Sequence, residues 1–134
     1  MITKVKHESQ IYLDLKALDE KCFPGCGDEF LPNRDWWVII EKGKIRAYCG
    51  CFYSQGVCGF VRAWVQREYR GQGWQKKMIW TRIRAARKRS SVVVTYTTPD
   101  NCPSANSLIK CGFLLHEPSY AWAGRNMIYF IKQL

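Results

Sequence analysis

Long apolar runs are missing from this sequence. None approaches the roughly 20 residues that a membrane helix needs, and the first ten residues, MITKVKHESQ, lack the apolar stretch of a secretory leader. The chain is therefore expected to be soluble and cytoplasmic, with no membrane partner. Histidine is scarce, with two in 134 residues, His7 and His116. A lone histidine is usually structural or exposed, so neither is recruited to chemistry. Repeats and low-complexity linkers are also missing, which points to a single domain over residues 1–134. Acids number 11 against 21 lysines and arginines, a formal net charge of +10. That imbalance fits an acidic partner, whether phosphate groups, nucleic acid or an acidic protein, or else a solvated basic face that only aids solubility.

What is present is enough for a core, since 47% of the residues are hydrophobic. The seven cysteines, Cys22, Cys26, Cys49, Cys51, Cys58, Cys102 and Cys111, are odd in number and read as buried thiols rather than disulfides. Cys22 with Cys26 and Cys49 with Cys51 lack the paired two-residue spacings of zinc ribbons and fingers, so no metal is expected.

Periodicity then sets the elements. ITKVK alternates as a short strand, and Ile11, Leu13, Leu15, Leu18 and Cys22 give an amphipathic helix over about 8–22. FPGCGDEFLPNRD reads as a loop. WWVIIE and IRAYCGCFY flank a glycine turn as a hairpin, and VCGFVRAWVQ, residues 57–66, supplies a third antiparallel strand. A helix follows from Trp74 to about Lys88, with Trp74, Met78, Ile79, Ile83 and Ala86 as its buried stripe. Its other faces would carry Lys76, Lys77, Arg82, Arg84, Arg87, Lys88 and Arg89. SVVVTYTT, residues 91–98, has the continuous apolar character of a strand covered on both faces. A right-handed crossover makes it parallel to residues 57–66. Pro103 opens a short helix that Gly112 ends, and FLLH and NMIYFIKQL are the last strands. The fold class is α+β: a mixed, mostly antiparallel sheet of six to seven strands flanked by helices, with one splayed parallel pair.

Between the third strand and the second helix stands QREYRGQGWQKKM, residues 66–78. Glycines at a helix N-terminus leave backbone N–H groups free at the positive end of the dipole, a good seat for a diphosphate. The stretch is neither the dinucleotide fingerprint nor a P-loop, since a third glycine and a GK[ST] are both missing. Taken alone, it suits a phosphate cradle or a tight turn.

Together with NCPSANSLIKCGFLL downstream, however, it resembles the GNAT superfamily of acyl-coenzyme A dependent N-acyltransferases. Arg70 and Gly73 match that family's coenzyme motif, with Gly71 as its common extra glycine. Asn101, Ser104, Leu108, Lys110, Gly112 and Phe113 resemble its later helix motif. The resemblance implies acetyl-coenzyme A as cosubstrate and an amine acceptor. It places coenzyme contacts at Trp64, Val65, Arg70, Gly71, Gln72, Gly73, Trp74, Gln75 and Lys76, and again at Asn101, Ser104 and Lys110. Gln75 departs from the small residue usual at its position. Val61, Arg62, Ala63 and Trp64 stand where many members place a catalytic glutamate, and Leu108 replaces the tyrosine that many use as general acid.

The resemblance implies direct attack of the amine on the thioester, with a backbone N–H near Val65 polarising the carbonyl. Ser104 and Tyr120 are the candidates for a group near the leaving thiolate, and Tyr96 or Asp100 for a proton relay. Helix capping, loop packing and turn formation are the competing roles of Ser104, Tyr120 and Asp100. For the acceptor, Asp28, Glu29 and Asp35 could attract a cationic amine, and Trp36, Trp37 and Trp122 could wall its pocket. Aromatic residues in strands are otherwise core. A monomer or homodimer is expected. The alternative to an enzyme is a catalytically weak scaffold that binds nucleic acid or protein through its basic surface.

Overall fold

The computed structural model describes all 134 residues. Strand β1 (Ile2–Lys4) and helix α1 (Gln10–Cys22) precede the strands β2 (Arg34–Glu41), β3 (Lys44–Ser54) and β4 (Val57–Val65). A 3-10 turn at Arg67–Tyr69 leads into α2 (Trp74–Ala86). The chain continues through β5 (Val92–Thr97), α3 (Cys102–Lys110), β6 (Leu114–His116) and β7 (Ile128–Gln133). All seven strands join one sheet in the order β1-β2-β3-β4-β5-β7-β6. Only the β4–β5 pair is parallel. The α+β architecture read from the sequence is the observed one.

The run WWVI in β2 is apolar throughout because both faces of the sheet are covered. Trp36 and Val38 pack with Leu15 of α1, Phe30 and Tyr48. Trp37 and Ile39 turn to the other side, where Met78, Ile79 and Ile83 of α2 and Leu108 of α3 close the larger core. Trp36 and Trp37 are therefore core residues and wall no acceptor pocket. Alternation on a doubly covered strand leaves neither ring a free face.

Two helix faces differ from the periodic reading. In α1, capped by the Ser9 hydroxyl on the Tyr12 N–H at 3.3 Å, Leu13 is exposed while Asp19 is buried. Leu13 is two residues from Leu15, a spacing that puts it on another side of a helix. In α2, Met78, Ile79, Ile83 and Ala86 are buried as expected. Arg82, expected on an outer face, is 2% exposed. Its place four residues after Met78 and before Ala86 sets it inside the buried stripe.

The feature that opens the sheet is a bulge in β4. Cys49 pairs with Ala63, and the next residue, Gly50, pairs with Val61, so Arg62 is the extra residue. Its φ of +50° is the left-handed conformation that side chains disfavour. A bulge bends and twists its strand. Accordingly β4 pairs with β5 only at Val57–Gly59 against Val92–Val94, and from Phe60 onward the two strands part.

Candidate active site

The gap between the parted strands forms a cleft that runs to the start of α2. Its outer part, about 530 Å³, is lined by Trp64 and Val65 of β4, by the turn from Arg70 to Lys76, and by Asn101 and Ser104 of α3. Its inner part, about 330 Å³, reaches Phe23, Cys26, Arg62, Arg82 and Tyr96. Ala63, Gln75, Asn101 and Ser104 line both parts, so the two are one continuous groove.

The outer part fits a diphosphate by its donors. Gly71 and Gly73 have φ of +78° and +83°, and nothing lies within 4 Å of where a Cβ would be on either. Backbone conformation, not crowding, requires glycine here. Gly71, Gln72 and Gly73 donate no backbone hydrogen bond within the protein. Gly73, the N-cap of α2, has no side-chain cap, and the first-turn N–H groups have no intrahelical acceptor. The indole Nε1 of Trp74 is buried without a partner. No acid lines this part, whereas Arg70 and Lys76 do. Arg70 folds back so that its Nε donates to Val65 O at 2.9 Å, which ties the turn to the end of β4.

Of the residues expected to touch a coenzyme, all but Gln72 and Lys110 line the outer cleft. Gln72 projects from the turn and Lys110 lies exposed in the last turn of α3. Gln75, the departure from the family pattern, lies at the junction of the two parts. Gln66 donates its N–H to Arg46 O of β3 at 2.7 Å. Strand alternation then turns the Val65 N–H away from β3, toward the open side.

The proton-transfer candidates are divided. Ser104 has its N–H capped by Asn101 Oδ1 at 3.3 Å, and its hydroxyl makes no hydrogen bond within the protein. Tyr96 lines the inner part, on the side of Arg62 and Cys26. Burial pushes its phenol above the ordinary tyrosine range, against a smaller opposing pull from Arg62. At neutral pH Tyr96 is therefore a donor, not a base. Tyr120 is 75% exposed and does not line the cleft. Asp100 is exposed in the turn before α3.

Aromatic packing holds the loop beside Tyr96, although Trp122 itself lines neither part of the cleft. Tyr129 O–H donates to Gly124 O at 2.7 Å and accepts from the Ala123 N–H at 3.0 Å, which pins the β6–β7 loop. Trp122 is thereby held edge-on to Tyr96, with ring centroids 5.2 Å apart. The acids expected to attract an amine are engaged locally. Asp28 accepts the Phe30 N–H at 2.9 Å, Glu29 pairs with Arg34 at 3.1 Å and Asp35 with Lys4 at 3.5 Å.

Sequence reasoning missed Phe23, Cys26, Arg62, Arg82 and Met127 as lining residues, whereas Thr97, expected beside Tyr96 on the cleft's splayed strand, lines it. Arg62 carries the clearest physical role among them. It pairs with Asp19 and donates to Gly27 O at 3.0 Å, fastening the loop after α1 to the bulge. A lone arginine in an apolar strand was the available signal.

Residues 6–113 match the family described as acetyltransferase (GNAT) family. No curated protein sequence matches the chain. Among solved structures, a provisionally assigned acyl-CoA N-acyltransferase from Klebsiella pneumoniae is similar with a TM-score of 0.81 and 16% identity, covering 100% of this chain and 97% of that one. An acetyltransferase from Bacillus subtilis, solved with CoA, has a TM-score of 0.76 at 15% identity and covers 99% and 97%. A provisionally assigned streptothricin acetyltransferase from Bacillus anthracis, in complex with acetyl coenzyme A, has a TM-score of 0.65 at 17% identity over 78% and 64%.

Proposed function

The chain belongs to the acetyltransferase (GNAT) family, and from that premise we propose that it transfers the acetyl group of acetyl-coenzyme A to a primary amine of a small molecule or protein. The observation that carries this reading is the continuity of the groove from the glycine turn into the gap between β4 and β5, through Ala63, Gln75, Asn101 and Ser104.

The coenzyme, when bound, supplies a reactive thioester. The backbone N–H groups of Gly71–Lys76, with Arg70 and Lys76, would hold its diphosphate at the positive end of α2. The Val65 N–H would donate to the thioester oxygen as negative charge develops there. The amine enters between Phe23, Cys26 and Tyr96. The ammonium first gives one proton to solvent; its nitrogen then forms the new N–C bond as the C–S bond breaks, and a second N–H proton leaves as the amide forms and ends on the thiolate, giving the free thiol. The Ser104 hydroxyl, which lines both parts of the groove, would donate to the departing thiolate, and the Tyr96 hydroxyl would donate at the rim where the amine enters. The groove thus works chiefly by holding two reactants together.

Isotopically labelled acetyl-coenzyme A added with the protein to a cell lysate should yield a labelled amine by mass spectrometry. Micromolar acetyl-coenzyme A should also raise the melting temperature. No thermal shift over a broad titration would sink the reading.

A second reading is favoured by the exposed cations Arg84, Arg87, Lys88 and Arg89, which line neither part of the groove. They suit an acidic macromolecule, either as the carrier of the amine or as the partner of a scaffold without catalysis. Binding to nucleic acid that weakens steeply with salt, without acyl transfer, would favour the scaffold.

A further inference from the structure

Arg82 is a buried cation without a carboxylate. The ion pairs of the chain are Lys4–Asp35, Arg34–Glu29 and Arg62–Asp19, and none includes it. Its Nε donates to Met78 O at 3.2 Å, and its Nη1 donates to Gly50 O and to Arg62 O, both at 3.3 Å. Its Cζ lies 3.9 Å from the centroid of the Phe60 ring. These contacts brace the bulge, yet Nη2 makes no hydrogen bond within the protein. Carbonyl dipoles and a ring face offset only part of the cost of burying a charge.

The surroundings lack the missing anion. The inner cleft is lined by Arg62 and Arg82 and by no acid, and Arg62 is already neutralised by Asp19. A polar atom buried without a partner lines the same space: the Oγ1 of Thr97. Thr97 lies four residues after Val93, which packs against α2, so strand alternation puts its side chain on the face of Arg82. Tyr96 takes the opposite face. A buried cation with a free amino group and an orphaned hydroxyl together match a carboxylate.

We infer that Arg82 and Thr97 form a carboxylate pocket at the inner end of the groove, so that the chain accepts a thioester whose acyl group ends in a carboxylate, of the malonyl or succinyl kind. The inference rests on the coenzyme-binding part of the reading above and replaces its acetyl group with a longer one that ends in a carboxylate. Placement decides that the carboxylate arrives with the acyl chain. Arg82 lies about two turns along α2 from the glycine cradle, on the coenzyme side of the sheet. The amine's rim, with Phe23 and Tyr96, is on the α1 side.

Equilibrium binding of coenzyme A, butyryl-coenzyme A and succinyl-coenzyme A, by calorimetry, tests this without an acceptor. Wild-type protein should bind the succinyl thioester at least tenfold more tightly than the butyryl one. Arg82→Gln should erase that preference and Thr97→Val should narrow it several-fold, with coenzyme A itself bound as before. An arginine that only braces the bulge would alter the melting temperature and leave the preference in place. Equal wild-type affinities, with coenzyme A bound, would overturn the pocket and leave the proposed function standing. Failure to bind coenzyme A would overturn both. The wild-type comparison stands even if Arg82→Gln does not fold.

Discussion

Arg62 Nε lies 3.1 Å from Asp19 Oδ1, joining the bulge of β4 to the last turns of α1. Both side chains are nearly buried, at 8% and 6% exposure, and the same carboxylate oxygen accepts the Tyr48 hydroxyl at 2.6 Å. The pair spans the sheet-to-loop junction on which the inner cleft depends. Removing one partner leaves the other charge buried and unpaired, at a cost of about 3–5 kcal/mol. Arg62→Ala and Asp19→Ala should each lower stability by that amount in urea denaturation, whereas the double substitution should cost less than their sum. Additive losses would show that the pair is not coupled.

Alkali should unfold this protein earlier than its composition suggests. Burial, with the Asp19 hydrogen bond, pushes the Tyr48 phenol above the ordinary value of 10.0. Burial raises the Cys49 thiol from 9.0 to about 11. Both groups hold their protons longer in the native state than in the unfolded chain. Their contribution is therefore complete below about pH 9 and falls as pH rises through 9–11, with a slope near 1.4 kcal/mol per pH unit for each group in its window. Urea midpoints at pH 8, 9, 10 and 11 check the slope. Cys49→Ala should flatten the lower part of it, and an unchanged curve would count against a buried thiol.

The glycine turn should separate conformation from packing. Gly73 has φ of +83° with nothing near its absent Cβ, so Gly73→Ala folds but strains the backbone by about 1–2 kcal/mol. Relief of that strain rotates the N–H groups at the head of α2. Coenzyme A affinity should fall by about tenfold or more. Gly43, at φ of +73° in the β2–β3 hairpin and equally uncrowded, supplies the control. Gly43→Ala should cost similar stability and leave affinity unchanged. Equal affinity losses, or none in either variant, would remove the diphosphate from the turn.

These relationships differ in how far the sequence revealed them. The sheet and the helices were legible because alternation and helical spacing are local properties of WWVIIE, VVVTYT and the α2 stripe. The cradle was legible only because NCPSANSLIKCGFLL stands downstream of it, since two glycines at a helix start suit a tight turn as well. Arg62 and Arg82 were not, because their partners lie far along the chain: Asp19 is 43 residues from Arg62, and Gly50 is 32 from Arg82. Arg82 nevertheless falls within the spacing of Met78, Ile79, Ile83 and Ala86. Reading it by charge instead of by position placed it in solvent. Trp36 and Trp37 failed the other way, since adjacent aromatic rings suit a pocket wall and a doubly buried strand alike. Only the packing of α1 and α2 on opposite faces decides between them.

The two hydroxyls facing the groove should fail differently when removed. Ser104 alone of the pair lines both the outer and the inner cleft, and its hydroxyl has no partner in the protein to satisfy. Tyr96 lines only the inner part, at the rim shared with Phe23 and Cys26, and its raised phenol stays protonated throughout the physiological range. A hydrogen bond to a charged leaving thiolate is worth about 1.5–3 kcal/mol, roughly a tenfold to hundredfold rate. Ser104→Ala should therefore lower kcat by that factor with little change in the KM for the amine. Tyr96→Phe should act mainly on the amine's KM, because the ring that remains still packs on Trp122 while the donor at the rim is gone. Steady-state kinetics with both substrates varied distinguish the two. A kcat loss in Tyr96→Phe, with Ser104→Ala unaffected, would exchange their roles and move the leaving thiolate toward the α1 side of the sheet.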